Sequence, residues 1–280
     1  MRVRLELDSL AVEIAPEVGG GVATFVHDGC DLFRAAARDA VDPTALGEFP
    51  MAPYVNRIAH GRFHWRGETI VLPAILGDHP HPLHGVGWRS AWTCERLSAH
   101  AARLTLTRQA DADWPWRVTM TRVITLTPAG LEIAFSLTNA DTRPMPASIG
   151  LHPYFPAAGA TVRLGVTAQV LTTADGIPVE ILRTPAVDAL AAGARVADLA
   201  LDHCFVGWDG RADLIWPNRT LRIETDPPQR FVQVYTPAGA DFFCVEPQSA
   251  APDAVNREAS GVVELAPGET LAFATRFAIA

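Results

Sequence analysis

The stretch "RVTMTRVITLTPAGLEIAFSLT", residues 117–138, decides the fold of this chain. In its second half Leu131, Ile133, Phe135 and Leu137 fall on one phase, and Glu132, Ala134, Ser136 and Thr138 on the other. A period of two belongs to a strand with one face buried, because successive side chains leave opposite faces. Just before it, Thr127-Pro128-Ala129-Gly130 carries the Pro and Gly of a tight turn. The two halves are therefore predicted to pair as an antiparallel hairpin.

The same period recurs outward from this hairpin, at residues 103–107, 221–225, 231–235 and 271–277. "HWRGETIVL" (64–72) places a turn at Arg66-Gly67 between two further strands. Helical spacing is scarce: the best instance, residues 186–201, is interrupted by Gly193, and 22 prolines disfavour long helices. No repeat or linker-like stretch divides the sequence. The expectation is one all-β domain spanning 1–280, built from large antiparallel sheets with few short helices.

Composition narrows the function. Of 280 residues, 49% are hydrophobic and 19% charged, ample for a core. A net charge of −8 argues against a phosphate-backbone binder, so no nucleic-acid partner is expected. The N-terminal "MRVRLELDSLAVEI" alternates polar and apolar residues, and no segment reaches the length of a membrane span, so no membrane association is expected. Cys30, Cys94, Cys204 and Cys244 form no CxxC pair, and the last three read as free thiols of a reducing, cytoplasmic compartment.

Several chemistry-bearing residues sit at the ends of apolar runs. In "ASIGLHPYFP" (147–156), His152 follows a strand and precedes stiffening prolines: either a satisfied core histidine or a proton donor aimed into a pocket. Glu246 ends the run Phe242–Val245 and is held by Pro247; a positioned base and a buried ion pair both fit. "LDHCFVGW" (201–208) embeds Asp202, and "APYVNRIAHGRF" (52–63) sets Asn56 beside Arg57, a dense source of donors for hydroxyl oxygens or else a satisfied sheet edge. His79, His81 and His84 in "GDHPHPLHG" (77–85) have a spacing that can hold zinc, with Asp78 as an oxygen ligand. Two prolines and the lack of a nearby Cys or Glu cluster speak against that, and no metal is expected; His84 is the histidine expected to point inward. The three glycines of "EVGGGVATF" (17–25) precede a strand, not a helix, and read as a turn or close backbone approach, not a phosphate loop. Acid, base, hydroxyl-binding groups and accompanying aromatics together suggest carbohydrate chemistry.

These segments, in this order, resemble the aldose 1-epimerase (galactose mutarotase) family: "NRIAHGRF", "PLHGVGWRSAW", "GLHPYF", "LDHCF" and "VYTP…FFCVEPQSAAPDAVN". The resemblance implies a β-supersandwich and cofactor-free interconversion of the α and β anomers of a sugar, the small-molecule partner, by a monomer or weak homodimer. It implies that Glu246 is the general base at the C1 hydroxyl and His152 the general acid at the ring oxygen. His84, Arg57 and Asp202 would hold the sugar, with His84 also near the reacting centre. Because free histidine titrates near ~6.5, an acceptor that keeps His152 protonated is expected. A related branch, the hexose-6-phosphate epimerases, grips phosphate with a second arginine where this chain has Trp88, with Arg89 expected on the opposite face. A neutral free sugar is therefore favoured over a phosphorylated or acidic one, with Trp88 as a stacking platform. A non-catalytic sugar-binding protein on the same fold is the remaining alternative.

Overall fold

The opening hairpin forms as its alternation requires. In the computed structural model, which describes residues 1–75, 77, 79–227 and 229–280, Val118–Thr127 pairs antiparallel with Gly130–Asn139, with Thr127 opposite Gly130 across the turn. Val118, Met120, Ile124 and Leu126 on the first strand and Leu131, Ile133, Phe135 and Leu137 on the second are all buried. The strands predicted at 103–107, 221–225, 231–235 and 271–277 lie within Ala101–Arg108, Arg219–Asp226, Phe231–Tyr235 and Thr270–Ile279, and Arg66-Gly67 turns between Arg62–Trp65 and Glu68–Val71. The helical candidate at 186–201 is interrupted at Gly193, as expected. The α-helix runs Pro185–Ala192 and stops where Gly193 takes a φ of +91°.

Two large antiparallel sheets stack face to face as a β-supersandwich. The nine-stranded sheet contains the opening hairpin, flanked by Thr270–Ile279 and Ala101–Arg108. The eleven-stranded sheet runs inward from Val3–Leu7 through Glu48–Met51, Gly150–Pro156, Phe242–Gln248, Phe231–Tyr235 and Asp202–Val206 to its edge at Pro178–Leu182. Its inner face supplies Phe155, Phe205, Val232, Val234, Phe243 and Val245 to the core that the opposite sheet fills with Phe135, Leu137 and Phe277. Phe155 and Phe277 meet across the interface, with ring centroids 6.4 Å apart. The outer face carries a second apolar cluster of Phe49, Met51, Trp88, Tyr154 and Cys244. Among the described residues no helix is long and apolar enough to cross a membrane.

Candidate active site

Strand alternation places the chemistry on that outer face. Gly150 pairs with Gln248 and Tyr154 with Cys244, so the register sets His152 directly opposite Glu246. Pro153 and Pro247 follow these two residues and bring no backbone N–H to the ladder, which opens between the pairs Gly150–Gln248 and Tyr154–Cys244. Glu246 in turn pairs with Gln233 on the next strand. Cross-strand neighbours on one face approach within about 5 Å, and His152 Nε2 lies 3.4 Å from Glu246 Oε1. A further row, Tyr154, Cys244, Tyr235 and Asp202, runs beside the first on the same face.

Loops supply the rest. Asn56 and His84 both take left-handed backbone, with φ of 54° and 57°, and they lock together. The His84 N–H donates to Asn56 O at 2.9 Å, and the Asn56 N–H donates to His84 Nδ1 at 3.1 Å. An imidazole accepting at Nδ1 carries its proton on Nε2, so His84 offers a donor. Asn56 Nδ2 donates to Gln233 Oε1 at 3.4 Å, and Gln233 Nε2 donates to Asp202 Oδ1 at 2.7 Å. Asn56, Arg57, Leu83, His84, His152, Asp202, Gln233, Tyr235 and Glu246 line a cleft of about 190 Å³.

Burial sets the protonation of the pair. The His152 ring packs against both Phe49, 4.5 Å from it by ring centroids, and Tyr154 at 4.7 Å, which lie 6.0 Å from each other. Desolvation in this apolar slot, with Arg34 adding to it, pushes His152 down to about 3. The Glu246 carboxyl is pushed well above the ordinary carboxylate range by burial and by the Asp202 charge, against the opposing pull of Arg57. His84 is held well below its ordinary value by burial, then by His152 and Arg57. The expected protonated His152 is thus corrected. Its acceptor is present, but desolvation outweighs it, so burial favours a neutral imidazole beside a carboxyl that holds its proton more tightly than an ordinary one. Among the described residues Glu246 Oε2 and His152 Nδ1 are buried without a hydrogen-bond partner, a costly state unless another molecule satisfies them.

Six of the seven residues singled out from the sequence converge on the cleft; Trp88 does not. It is 5% exposed and stacks on Phe49 behind His84. Its indole N–H, 3.2 Å from both Leu83 O and Gly85 O, pins the residues on either side of His84. The stacking expectation is corrected to that of a support, and Tyr235 is the aromatic that lines the cleft. Arg89 pairs with Asp113 at 3.0 Å. Gln233 was missed, although an amide within the apolar run "FVQVY" (231–235) is a legible signal. The zinc spacing at 79–84 is put to other use: His81 Nδ1 accepts the His60 N–H and its Nε2 faces Asp175. Asp78 lies outside the described residues.

Comparison with known proteins gives one consistent result. The family model described as aldose 1-epimerase matches residues 1–278. The uncharacterized Escherichia coli K12 protein YphB is 30% identical over 274 residues, covering 94% of this chain and 93% of that protein. A solved structure of a candidate aldose 1-epimerase from E. coli K12 superposes with a TM-score of 0.93 at 26% identity, covering 100% of this chain and 99% of that one. A galactose mutarotase-like protein from Clostridium acetobutylicum shares the fold with a TM-score of 0.90 at 19% identity, covering 100% and 95% of the two chains.

Proposed function

Because the chain belongs to the aldose 1-epimerase family, we propose that it interconverts the α and β anomers of a free, neutral aldose by acid–base ring opening and reclosure. The observation that carries this reading is the His152–Glu246 pair, 3.4 Å apart, each member with a buried atom lacking a partner, at the floor of a cleft rimmed with hydroxyl-binding groups. Glu246 takes the proton of the C1 hydroxyl while His152 delivers one to the ring oxygen. The C1–ring-oxygen bond breaks and an aldehyde forms at C1. Rotation about C1–C2 presents the other carbonyl face, and reclosure returns both protons. The cycle conserves protons and moves no electrons between molecules, so the pair needs one shared proton and no cofactor. The state with that proton on His152 opens the ring and the state with it on Glu246 recloses it; the two hold the same number of protons and interconvert across the 3.4 Å between Nε2 and Oε1. His84 Nε2–H, Asn56, Arg57, Gln233 and the rim carboxylate of Asp202 are suited to fix hydroxyls, and Tyr235 offers a flat face to the sugar ring.

A neutral substrate is favoured because Arg57 is the only cationic side chain lining the cleft among the described residues, while Arg89 is engaged by Asp113. Anomer exchange followed by NMR or polarimetry tests this across neutral aldoses, uronates and hexose 6-phosphates. Acceleration is expected for a neutral aldose and buffer-only rates for the phosphates. Glu246→Gln should lower kcat by about 10²–10⁴, the usual worth of a positioned base, with sugar binding kept. Full activity in that variant removes Glu246 as base, and binding without turnover in the wild type leaves a sugar-binding protein.

A further inference from the structure

The proposed mechanism leaves the "HPH" motif (79–81) and the turn 173–177 without a role, yet the two meet beside the cleft. Thr173 orders the turn: its N–H donates to Ile177 O at 2.8 Å, its Oγ1 accepts the Ile177 N–H at 3.0 Å, and its hydroxyl donates to Asp175. The other carboxylate oxygen of Asp175 reaches His81, which is fully buried, at 3.1 Å. Because His81 Nδ1 accepts the His60 N–H at 3.0 Å, its Nε2 carries the proton and donates to Asp175. Gly176, the next residue, then lies flat on Arg57. Its φ is +85°, and a Cβ built on it would fall 2.8 Å from both Cζ and Nη1 of Arg57 and 2.9 Å from Nε. Among the described residues no carboxylate pairs with the guanidinium: the Gly176 backbone packs against it, Nη1 donates to Asn56 Oδ1 at 3.5 Å, and the buried Nε has no partner.

We propose that Asp175, Gly176 and His81 form a positioning device that seats the Arg57 guanidinium against the sugar: His81 clips the turn 173–177 in place, and the missing Gly176 side chain is the seat. This role rests on Arg57 being a sugar ligand. The guanidinium is the far end of a flexible side chain, so a methyl at residue 176 displaces it and leaves the fold intact. Gly67→Ala, at a φ of +86° with nothing within 4 Å, reports the backbone cost alone.

The test combines kinetics with the Arg57 Nε–Hε NMR resonance, assigned by its loss in Arg57→Lys. Gly176→Ala is expected to raise the aldose KM about tenfold while kcat changes by less than about threefold, the pattern of a lost binding contact. It is also expected to move the Nε–Hε resonance, and Gly67→Ala to do neither. In an Arg57→Ala background Gly176→Ala should have no further effect on KM. An equal KM rise in both backgrounds, or an unmoved resonance, overturns the proposal. Should Gly176→Ala fail to fold, Asp175→Ala at the exposed turn must shift KM and resonance in the same direction, and unchanged values there overturn it as well. If the wild type accelerates no aldose, the proposed function fails, and the resonance still decides whether Gly176 seats Arg57.

Discussion

His152 and Glu246 show how environment, not residue type, sets the working protonation state. A histidine near its ordinary value of about 6.5 would lose its proton across neutrality, and activity would follow. Here burial pushes His152 down to about 3 and raises Glu246 well above the carboxylate range. Between those limits the pair holds one proton, which is what ring opening requires. The groups facing it are Arg57 and Asp202 on the Glu246 side, and Arg34 and a neutral His84 on the His152 side. The sign follows from the raised group. Glu246 keeps its proton below its raised value and loses it as pH climbs through that value, so activity falls on the alkaline side. On the acid side nothing in the pair titrates until near 3. The buffer-corrected kcat/KM should stay level from neutrality down to about pH 4, and any decline should lie on the alkaline side, as Glu246 gives up its proton. An acid limb centred near 6.5 would show that His152 works as an ordinary imidazole.

At the scale of elements, the "GGG" turn is a spacer for the supports of the site. A Cβ on Gly19 would lie 2.0 Å from Trp88 O, and one on Gly20 would lie 2.7 Å from the Trp92 ring, so the sequence-based expectation of close backbone approach holds. Trp88 pins the carbonyls flanking His84, so crowding at Gly19 is passed on to the cleft. Gly29 has a similar φ, +74°, with nothing within 4 Å. Gly29→Ala should therefore cost only the left-handed backbone strain, about 1–2 kcal/mol, whereas Gly19→Ala adds overpacking of about 1–3 kcal/mol and lowers kcat/KM. Urea denaturation of both variants measures the difference, and equal costs would remove the spacer role. The hairpin at 117–138 was legible because its alternation and turn lie within one continuous stretch. The interruption of the helix at Gly193 was legible too, because a glycine is the residue that takes the left-handed step ending it. The His152–Glu246 juxtaposition was not legible from spacing, because register between strands distant in sequence is fixed by packing on both sheet faces. Only the family resemblance joined them.

At the scale of the whole molecule, the two sheets are joined by more than apolar contact. In the strand Val118–Thr127, Arg122 falls on the inward phase with Met120 and Ile124 and is fully buried. It crosses the sandwich to Glu48 of the other sheet, with Nη2 2.6 Å from each carboxylate oxygen, and also donates to Gly20 O. Glu48 precedes Phe49, the ring packed on His152, so this ion pair anchors the strand that shapes the catalytic slot. An arginine in phase with apolar residues is a signal the sequence contains, but its partner is set only when the sheets stack. Breaking a buried pair leaves one charge without compensation, at a cost of about 3–5 kcal/mol, whereas replacing both members with apolar groups of similar volume is often neutral or stabilising. Arg122→Ala should therefore lower the denaturation midpoint sharply, and Arg122→Met combined with Glu48→Leu should recover most of the loss. If the pair served only stability, the double variant would also recover kcat. If it holds Phe49 against His152, stability returns while kcat stays reduced, and the titration of His152 followed by NMR moves upward as its slot loosens. If the losses measured for Arg122→Met and Glu48→Leu singly simply add in the double, with no recovery, Arg122 and Glu48 act independently.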